Sequence, residues 1–275
     1  MPIITISRQP GSYGPQVAQA LADRLGLEVI RRSHLHQLAL ECDPEYENAC
    51  RLYEREAFSG FFERLMIDRP AYRSLFEALH WELASKGNVV ILGRGGHIVL
   101  KDVPAVVRVR LVADRSVRVE RIMAQKEISR EEADIYLDHF SRRHKAMIRA
   151  IFDQDIENPI DYDIVLNTAR LTAEQAAETL SQFVTIKRSE RQTDVDKDVL
   201  RRMAFVKRLE TIVRKKVYIA PYRTFGISMP NIGQVHLQGL VEHKQDIQQI
   251  EEIVTGVEGV ESVENNLRAF GAPLA

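Results

Sequence analysis

Apolar residues along this chain change rhythm in a regular way. Ile3-Ile4-Thr5-Ile6 is a run of β-rich residues that leads into a Gly/Pro/Ser turn. Val17, Leu21, Ala22 and Leu25 then recur at helical spacing, with Gly26 closing the pattern. Strand, glycine-bearing loop and helix at the start predict an α/β chain. Leu27-Glu28-Val29-Ile30 predicts a short second strand. Residues 44–86 lack strand alternation and read as helical, with Tyr72, Leu75, Phe76, Leu79 and Leu83 on one face and Asp68-Arg69-Pro70 as a cap. Asn88-Val89-Val90-Ile91-Leu92 and Val106–Val112 are continuous apolar runs of the kind buried on both faces of a sheet. Asp114 caps a helix that carries Arg118 and Arg121 on one face, and Ser129 and Glu132 form a capping box for the helix after it. Tyr162–Thr168 is a last strand, and Leu171-Thr172 opens a closing helix.

The tail has its own rhythm. Residues 187–198 are dense in charge and turn formers and read as a linker. Val199, Met203, Val206, Leu209 and Val213 stripe a helix. Phe225, Ile227 and Met229 alternate, Asn231-Ile232-Gly233 turns the chain, and Val235 and Leu237 alternate again. Ile247, Ile250 and Ile253 mark another helix, and Ser262–Leu267 a final strand. The expected division is 1–186, a linker at 187–198, and a small second domain at 199–275.

Composition narrows the classes. At 275 residues and 45% hydrophobic, the chain buries one large core, or one core and a small domain. The net charge of −1 gives no general reason to expect nucleic acid as a partner. Cys42 and Cys50 form no C-x-x-C pair, so neither a disulfide framework nor a zinc site is expected. His34, His36 and Trp81 read as packing or surface residues. No apolar run reaches the length of a membrane span and no signal sequence opens the chain, so a cytoplasmic protein is expected.

Chemistry concentrates at strand ends. A loop running from Gly11 to Gly14 into a helix aims backbone N–H groups at one point, which suits a phosphate. Gly93-Arg94-Gly95-Gly96 sits at the end of another strand, where open α/β sheets place ligands, and a guanidinium grips phosphate bidentately.

These segments resemble the cytidylate kinase-like family, a branch of the P-loop nucleoside monophosphate kinases. Ile6, Ser7, Arg8, Gln9, Gly11, Ser12, Gly14 and Ala18 match its opening, and the resemblance extends over 2–185. It implies a three-layer αβα fold on a five-stranded parallel sheet, with ATP and Mg2+ as cofactors and a nucleotide as substrate. A full Walker A pattern is absent. Gly14 stands where cytidylate kinases carry a phosphate lysine, and Pro15 stands where a magnesium-binding hydroxyl would be. Arg31 stands where the family has an acidic residue, and Gly95 where true cytidylate kinases have one. Residues 44–86, with Arg51, Arg55, Arg64, Arg69 and Arg73, resemble the arm that closes over an acceptor nucleotide. Arg142, Arg143, His144, Lys145 and Arg149 resemble the lid. The resemblance implies that Arg8, Arg94, Arg118, Arg121 and Arg142 supply catalytic charge, and that Gly11, Ser12, Tyr13, Gly14, Pro15 and Gln16 bind the nucleotide. Metal ligands are not assigned.

The tail, through Gly233/Val235/Leu237/Gly239 and Gly256/Val257/Val260, resembles the BON domain, a small α+β interaction module. That implies a protein partner, a small ligand or a phospholipid surface, and the basic residues around Arg201 and Arg214 are balanced by acidic ones such as Glu251 and Glu258 in the same module. Two functions follow as expectations: a phosphotransferase acting on a nucleoside monophosphate, or a weakly active or inactive nucleotide sensor read out through the BON module.

Overall fold

A computed structural model describes residues 2–42, 69–190, 197–220 and 224–270. These fall into two compact units, 2–42 with 86–190 and 69–85 with 197–270. The expected helical stretch before residue 69, with Arg51, Arg55, Arg64, Asp68 and Cys50, lies outside the described residues.

The first unit runs β1 (Ile3–Arg8), α1 (Gly14–Leu25), β2 (Glu28–Ile30), α2 (Arg32–Cys42), β3 (Val89–Leu92), a short α4 (Gly96–Val99), β4 (Val106–Val112), α5 (Arg115–Lys126), α6 (Arg130–Phe152), β5 (Ile164–Asn167) and α7 (Ala173–Glu190), with α3 (Arg69–Lys86) leading into β3. Its five strands are all parallel, in the order β2-β3-β1-β4-β5. Apolar residues on both faces make this possible, because a parallel sheet needs helices over each. Ile4, Ile6, Val107, Val109 and Leu111 pack with Val17 and Leu21 of α1 and with Ala176 and Leu180 of α7. Alternation puts Ser7 of β1 and Arg110 of β4 on the opposite face, where they are register partners.

Local signals act as expected. Gly26 ends α1 in a left-handed conformation at φ 66°. The Ser129 N–H donates to Glu132 Oε2 at 2.8 Å and the Glu132 N–H returns to Ser129 Oγ at 3.3 Å, completing the capping box. Asp114 is the N-cap of α5, although its side chain accepts no capping bond. Beside β5, Asp163 accepts the Arg108 N–H at 2.7 Å and is ion-paired with the Arg108 and Lys187 side chains. Burial alone would raise the Asp163 carboxyl, but those two cations hold it below its usual value.

The second unit contains α3, α8 (Lys197–Lys216), β6 (Phe225–Asn231), β7 (Gln234–Val241), α9 (Lys244–Thr255) and β8 (Ser262–Ala269). β6 and β7 form the expected hairpin, and α9 carries the chain across to β8, which pairs parallel with β7. The core joins Leu209 and Val213 of α8, Val235, Leu237 and Val241 of β7, and Ile250 and Val254 of α9. Two differences from the sequence reading appear. Residues 187–190, read as linker, continue α7, and α8 already begins at Lys197. The helix α3, read as part of the first domain, belongs to the second unit.

Charge explains the second difference. Glu77 of α3 bonds Lys207 of α8 at 2.7 Å and Arg73 at 2.8 Å, while Glu210 bonds Lys207 at 2.9 Å and Arg214 at 3.1 Å. Arg208 meets Glu82 at 2.9 Å. The Glu77 and Lys207 side chains are only 13% and 23% exposed, so water screens their pair weakly. Burial opposes the ionised Glu77, yet Lys207 and Arg73 hold it below its ordinary value. Lys207→Met should therefore lower the stability of the intact chain by about 2 kcal/mol in a urea melt. A double-mutant cycle with Glu77→Gln should return a coupling of about 1–3 kcal/mol, and purely additive losses would show that the pair does not hold α3.

Candidate anion site

The carboxyl ends of β1, β3 and β4 converge on either side of β1, where the strand order reverses. The first loop is shaped by left-handed residues, Gly11 at φ 80° and Tyr13 at φ 60°. Gly11 has no alternative, because a Cβ there would stand 2.8 Å from the Arg118 carbonyl oxygen. The Ser12 hydroxyl donates to the Gln9 carbonyl at 2.7 Å and also lies 3.2 Å from the Leu111 carbonyl. The Ser12 side chain is fully buried, so it shapes the loop and offers no hydroxyl to a ligand. Arg121 bonds the Gly11 carbonyl at 3.2 Å and the Thr168 carbonyl at 2.6 Å, and its guanidinium lies 3.6 Å from the centre of the Tyr13 ring. Thr168 Oγ1 in turn meets the Ser12 carbonyl at 3.3 Å. The loop carbonyls are thus tied down on one side. The N–H groups of Tyr13, Gly14 and Gln16 have no protein acceptor among the described residues. Pro15 occupies the first turn of α1, where a missing N–H costs no helical bond.

Arg8 runs from this loop to the second one. A Cβ on Gly14 would lie 2.6 Å from Arg8 Cγ, and one on Gly93 would lie 2.3 Å from Arg8 Nη1. Gly14 is therefore required by the arginine stem beside it, not by its backbone angle. Among the described residues Arg8 makes no ion pair. Burial, and then the neighbouring Arg94, pull its guanidinium down to about 10. Gly93, Arg94 and Gly95 are all left-handed, at φ 79°, 62° and 77°. A Cβ at Gly95 would meet Phe152 at 2.5 Å, so the acidic residue that true cytidylate kinases carry has no room there in this arrangement. Arg94 Nη1 contacts Met147 Sδ at 3.6 Å.

Arg110 and His144 join the cluster, a grouping that the sequence does not reveal. Arg110 donates to Ser7 Oγ at 3.0 Å and lies 3.4 Å from the Tyr162 hydroxyl. That hydroxyl donates to the Ile156 carbonyl at 2.7 Å and sits 3.1 Å from His97 Nε2, which must then be the protonated nitrogen. Burial raises the Tyr162 phenol, against the pull of Ser7 and Arg110, so it stays protonated. His144 faces the cluster from α6. Burial, then Arg8, Arg94 and Arg110, push its imidazole down to about 3.

The remaining expected residues lie elsewhere. Arg118 is buried, with Nε on the Ala113 carbonyl at 2.9 Å, and it supports the loop from behind. Arg121 is a loop staple, as described. Arg142 is on the outer face of α6, in a shallow depression with Arg130, Asp134, Ile135 and Asp138, away from His144. Gln16 and Pro15 are exposed at the start of α1. Arg31 donates to Gln19 at 2.7 Å. Among the described residues no three metal-binding side chains gather, and no helix is long and apolar enough to cross a membrane.

Known proteins resemble this chain in sequence and in fold. A family model described as the cytidylate kinase-like family matches residues 3–170, and a BON domain model matches 221–269. A cytidylate kinase of Archaeoglobus fulgidus is 30% identical over 192 residues, covering 67% of this chain and 96% of the relative. One from Ignicoccus hospitalis is 28% identical over 187 residues, covering 67% and 99%. In fold, an uncharacterized protein from Eubacterium ventriosum superposes with a TM-score of 0.52 at 16% identity, over 67% of this chain and 99% of that one. The chain belongs to the cytidylate kinase-like family and carries a C-terminal BON domain.

Proposed function

We propose that the protein is a phosphotransferase that moves the terminal phosphoryl group of ATP to a nucleoside monophosphate, with CMP the first acceptor to test. The path of Arg8 carries this reading. Its stem lies under Gly14 and its guanidinium reaches Gly93, so one cation spans the loop suited to the donor and the arginine suited to the acceptor. Phosphoryl transfer needs positioning and neutralised charge on the moving group more than it needs covalent chemistry. The N–H groups of Tyr13, Gly14 and Gln16 would hold donor phosphate oxygens, Arg94 the acceptor phosphate, and Arg8 the group between them. Arg118 and Arg121 act by holding the loop in shape. Mg2+ would neutralise charge on the phosphates, bound chiefly by their own oxygens and water, since the Ser12 hydroxyl is occupied. The BON domain is assigned an interaction or regulatory role, toward a protein, a small ligand or a phospholipid surface, in a cytoplasmic enzyme.

A second reading, a nucleotide sensor of little or no activity, is favoured by Gly14 and Pro15 in place of the lysine and hydroxyl. The test is transfer from ATP to each nucleoside monophosphate with magnesium present, beside thermal shifts with the same nucleotides. Transfer to an acceptor faster than ATP hydrolysis supports the enzyme. A ligand at a hundred times its dissociation constant should add about 2.7 kcal/mol, so stabilisation without transfer supports the sensor. No response to any nucleotide overturns both.

A further inference from the structure

Arg110 is the member of the cluster that the transfer chemistry does not use. It is only 5% exposed, and its side chain meets the neutral oxygens of Ser7 and Tyr162. Among the described residues no carboxylate pairs with it. A guanidinium does not give up its proton, and a buried charge is ordinarily matched by an opposite one. Two further guanidinia, Arg8 and Arg94, are close enough to repel His144 together with it. Three segments therefore bring positive groups to one place, with the network of Tyr162, His97 and the Ile156 carbonyl fixing Arg110 from behind.

His144 faces that place from α6, one turn from Phe140, whose ring centre is 6.1 Å away. Neither of its nitrogens has a hydrogen-bond partner among the described residues. His144 is three residues from Met147, whose sulfur Arg94 contacts at 3.6 Å, and among the described residues the charges that act on it are Arg8 from β1, Arg94 from the loop after β3 and Arg110 from β4, all cations. Burial holds the Tyr162 phenol, before β5, above its ordinary value, so it brings no negative charge. Surrounded in this way, the imidazole is neutral near pH 7. A dianion among the three guanidinia would reverse the sign of the field it feels.

We propose that Arg110 and His144 complete, with Arg8 and Arg94, one site for a tetrahedral dianion of the phosphomonoester class, in which His144 takes a proton from solvent as the anion enters. Arg110 is then the buried anchor and His144 a donor that the ligand itself creates. The inference rests on reading the cluster as a phosphate site, and it adds a residue pair and a proton to that reading. The sign follows directly. His144 is neutral without the anion and protonated with it, so binding tightens as pH falls and weakens as pH rises.

Inorganic sulfate is the probe, because it remains a dianion across the range and any pH slope belongs to the protein. Calorimetric titration of the intact chain, in two buffers of different ionisation heat from about pH 8 to about pH 6, should show proton uptake. Affinity should rise by up to about tenfold per pH unit. His144→Gln should still bind sulfate but lose the slope and the proton. Arg110→Met should lose at least about tenfold in affinity at every pH. If that variant does not fold, Arg110→Lys serves, since it keeps the charge without the planar fork and should bind measurably more weakly. The proposal is overturned by no sulfate binding, by pH-independent binding, by a slope that survives His144→Gln, or by wild-type affinity in both Arg110 variants. A parallel arm with CMP and cytidine separates the two readings. Sulfate binding with the expected slope, but no binding of CMP, would sink the nucleotide function and leave this site standing.

Discussion

Arg8→Ala should reduce phosphoryl transfer by about 10²–10³-fold and remove most of the thermal shift produced by nucleotides. The size follows from the loss of a fixed charge where negative charge gathers on the moving group. Arg8 is suited to that task because its stem is packed on Gly14 and its head lies at Gly93. The same packing makes a second expectation about this site. Gly14→Lys alone should be harmful, since any Cβ there lies 2.6 Å from Arg8 Cγ, an atom near the root of the side chain with little room to move. In the Arg8→Ala background the Cγ and Cδ contacts are gone and only the Cβ at 3.1 Å remains, a contact that a shift of a few tenths of an ångström relieves, so Gly14→Lys should recover about tenfold or more of the lost activity. The two cations are thus alternatives for one volume. Nucleotide shifts and transfer rates on the two single variants and the double one check this. Wild-type turnover in Arg8→Ala would show that the charge is supplied from elsewhere, and equal damage from Gly14→Lys in both backgrounds would deny the shared volume.

Much of this arrangement is legible in the sequence, because strands buried on both faces announce themselves as apolar runs. Gly26, the Ser129 capping box and the Asn231–Gly233 turn each act where their chemistry requires. Arg8 and Arg94 stand out for the same reason, as cations at the ends of apolar strands. Arg110 does not, since it lies inside a strand, and alternation tells which face it takes but not what else reaches that face. A charged residue among Val107, Val109 and Leu111 was nonetheless a signal that something must compensate it. Arg142 and His144 differ by phase alone. The buried residues Ala133, Leu137, Ile148 and Ile151 mark the inner stripe of α6, and at about 100° per residue His144 falls on it while Arg142 falls well over a quarter-turn away. The partnership of α3 with α8 was beyond reach, because Glu77 and Lys207 are far apart in the chain and neither is unusual in its own helix.

Gly239→Ala should unfold the BON domain while leaving the first unit able to respond to sulfate. Gly239 has φ 125°, a conformation that L side chains rarely adopt, and a Cβ there would stand 1.9 Å from the Thr224 carbonyl oxygen. That oxygen cannot step aside as a side-chain tip could, since it accepts the Leu240 N–H at 2.7 Å and precedes β6. β7 is the central strand, paired with β6 on one edge and β8 on the other, so a shift at Gly239 breaks both ladders. Strain and lost pairing together should cost more than about 3 kcal/mol, a large part of what a domain near 70 residues has. Gly226→Ala is the matched control. It lies on the neighbouring strand of the same hairpin, its φ is not positive, and its nearest contacts are Gln238 side-chain atoms at 3.7 Å, an ordinary separation. Limited proteolysis of the full chain should cut Gly239→Ala rapidly beyond residue 196 and leave Gly226→Ala as resistant as the parent. Equal resistance of the two variants would mean that β6 and β7 do not cross at Gly239 as closely as described.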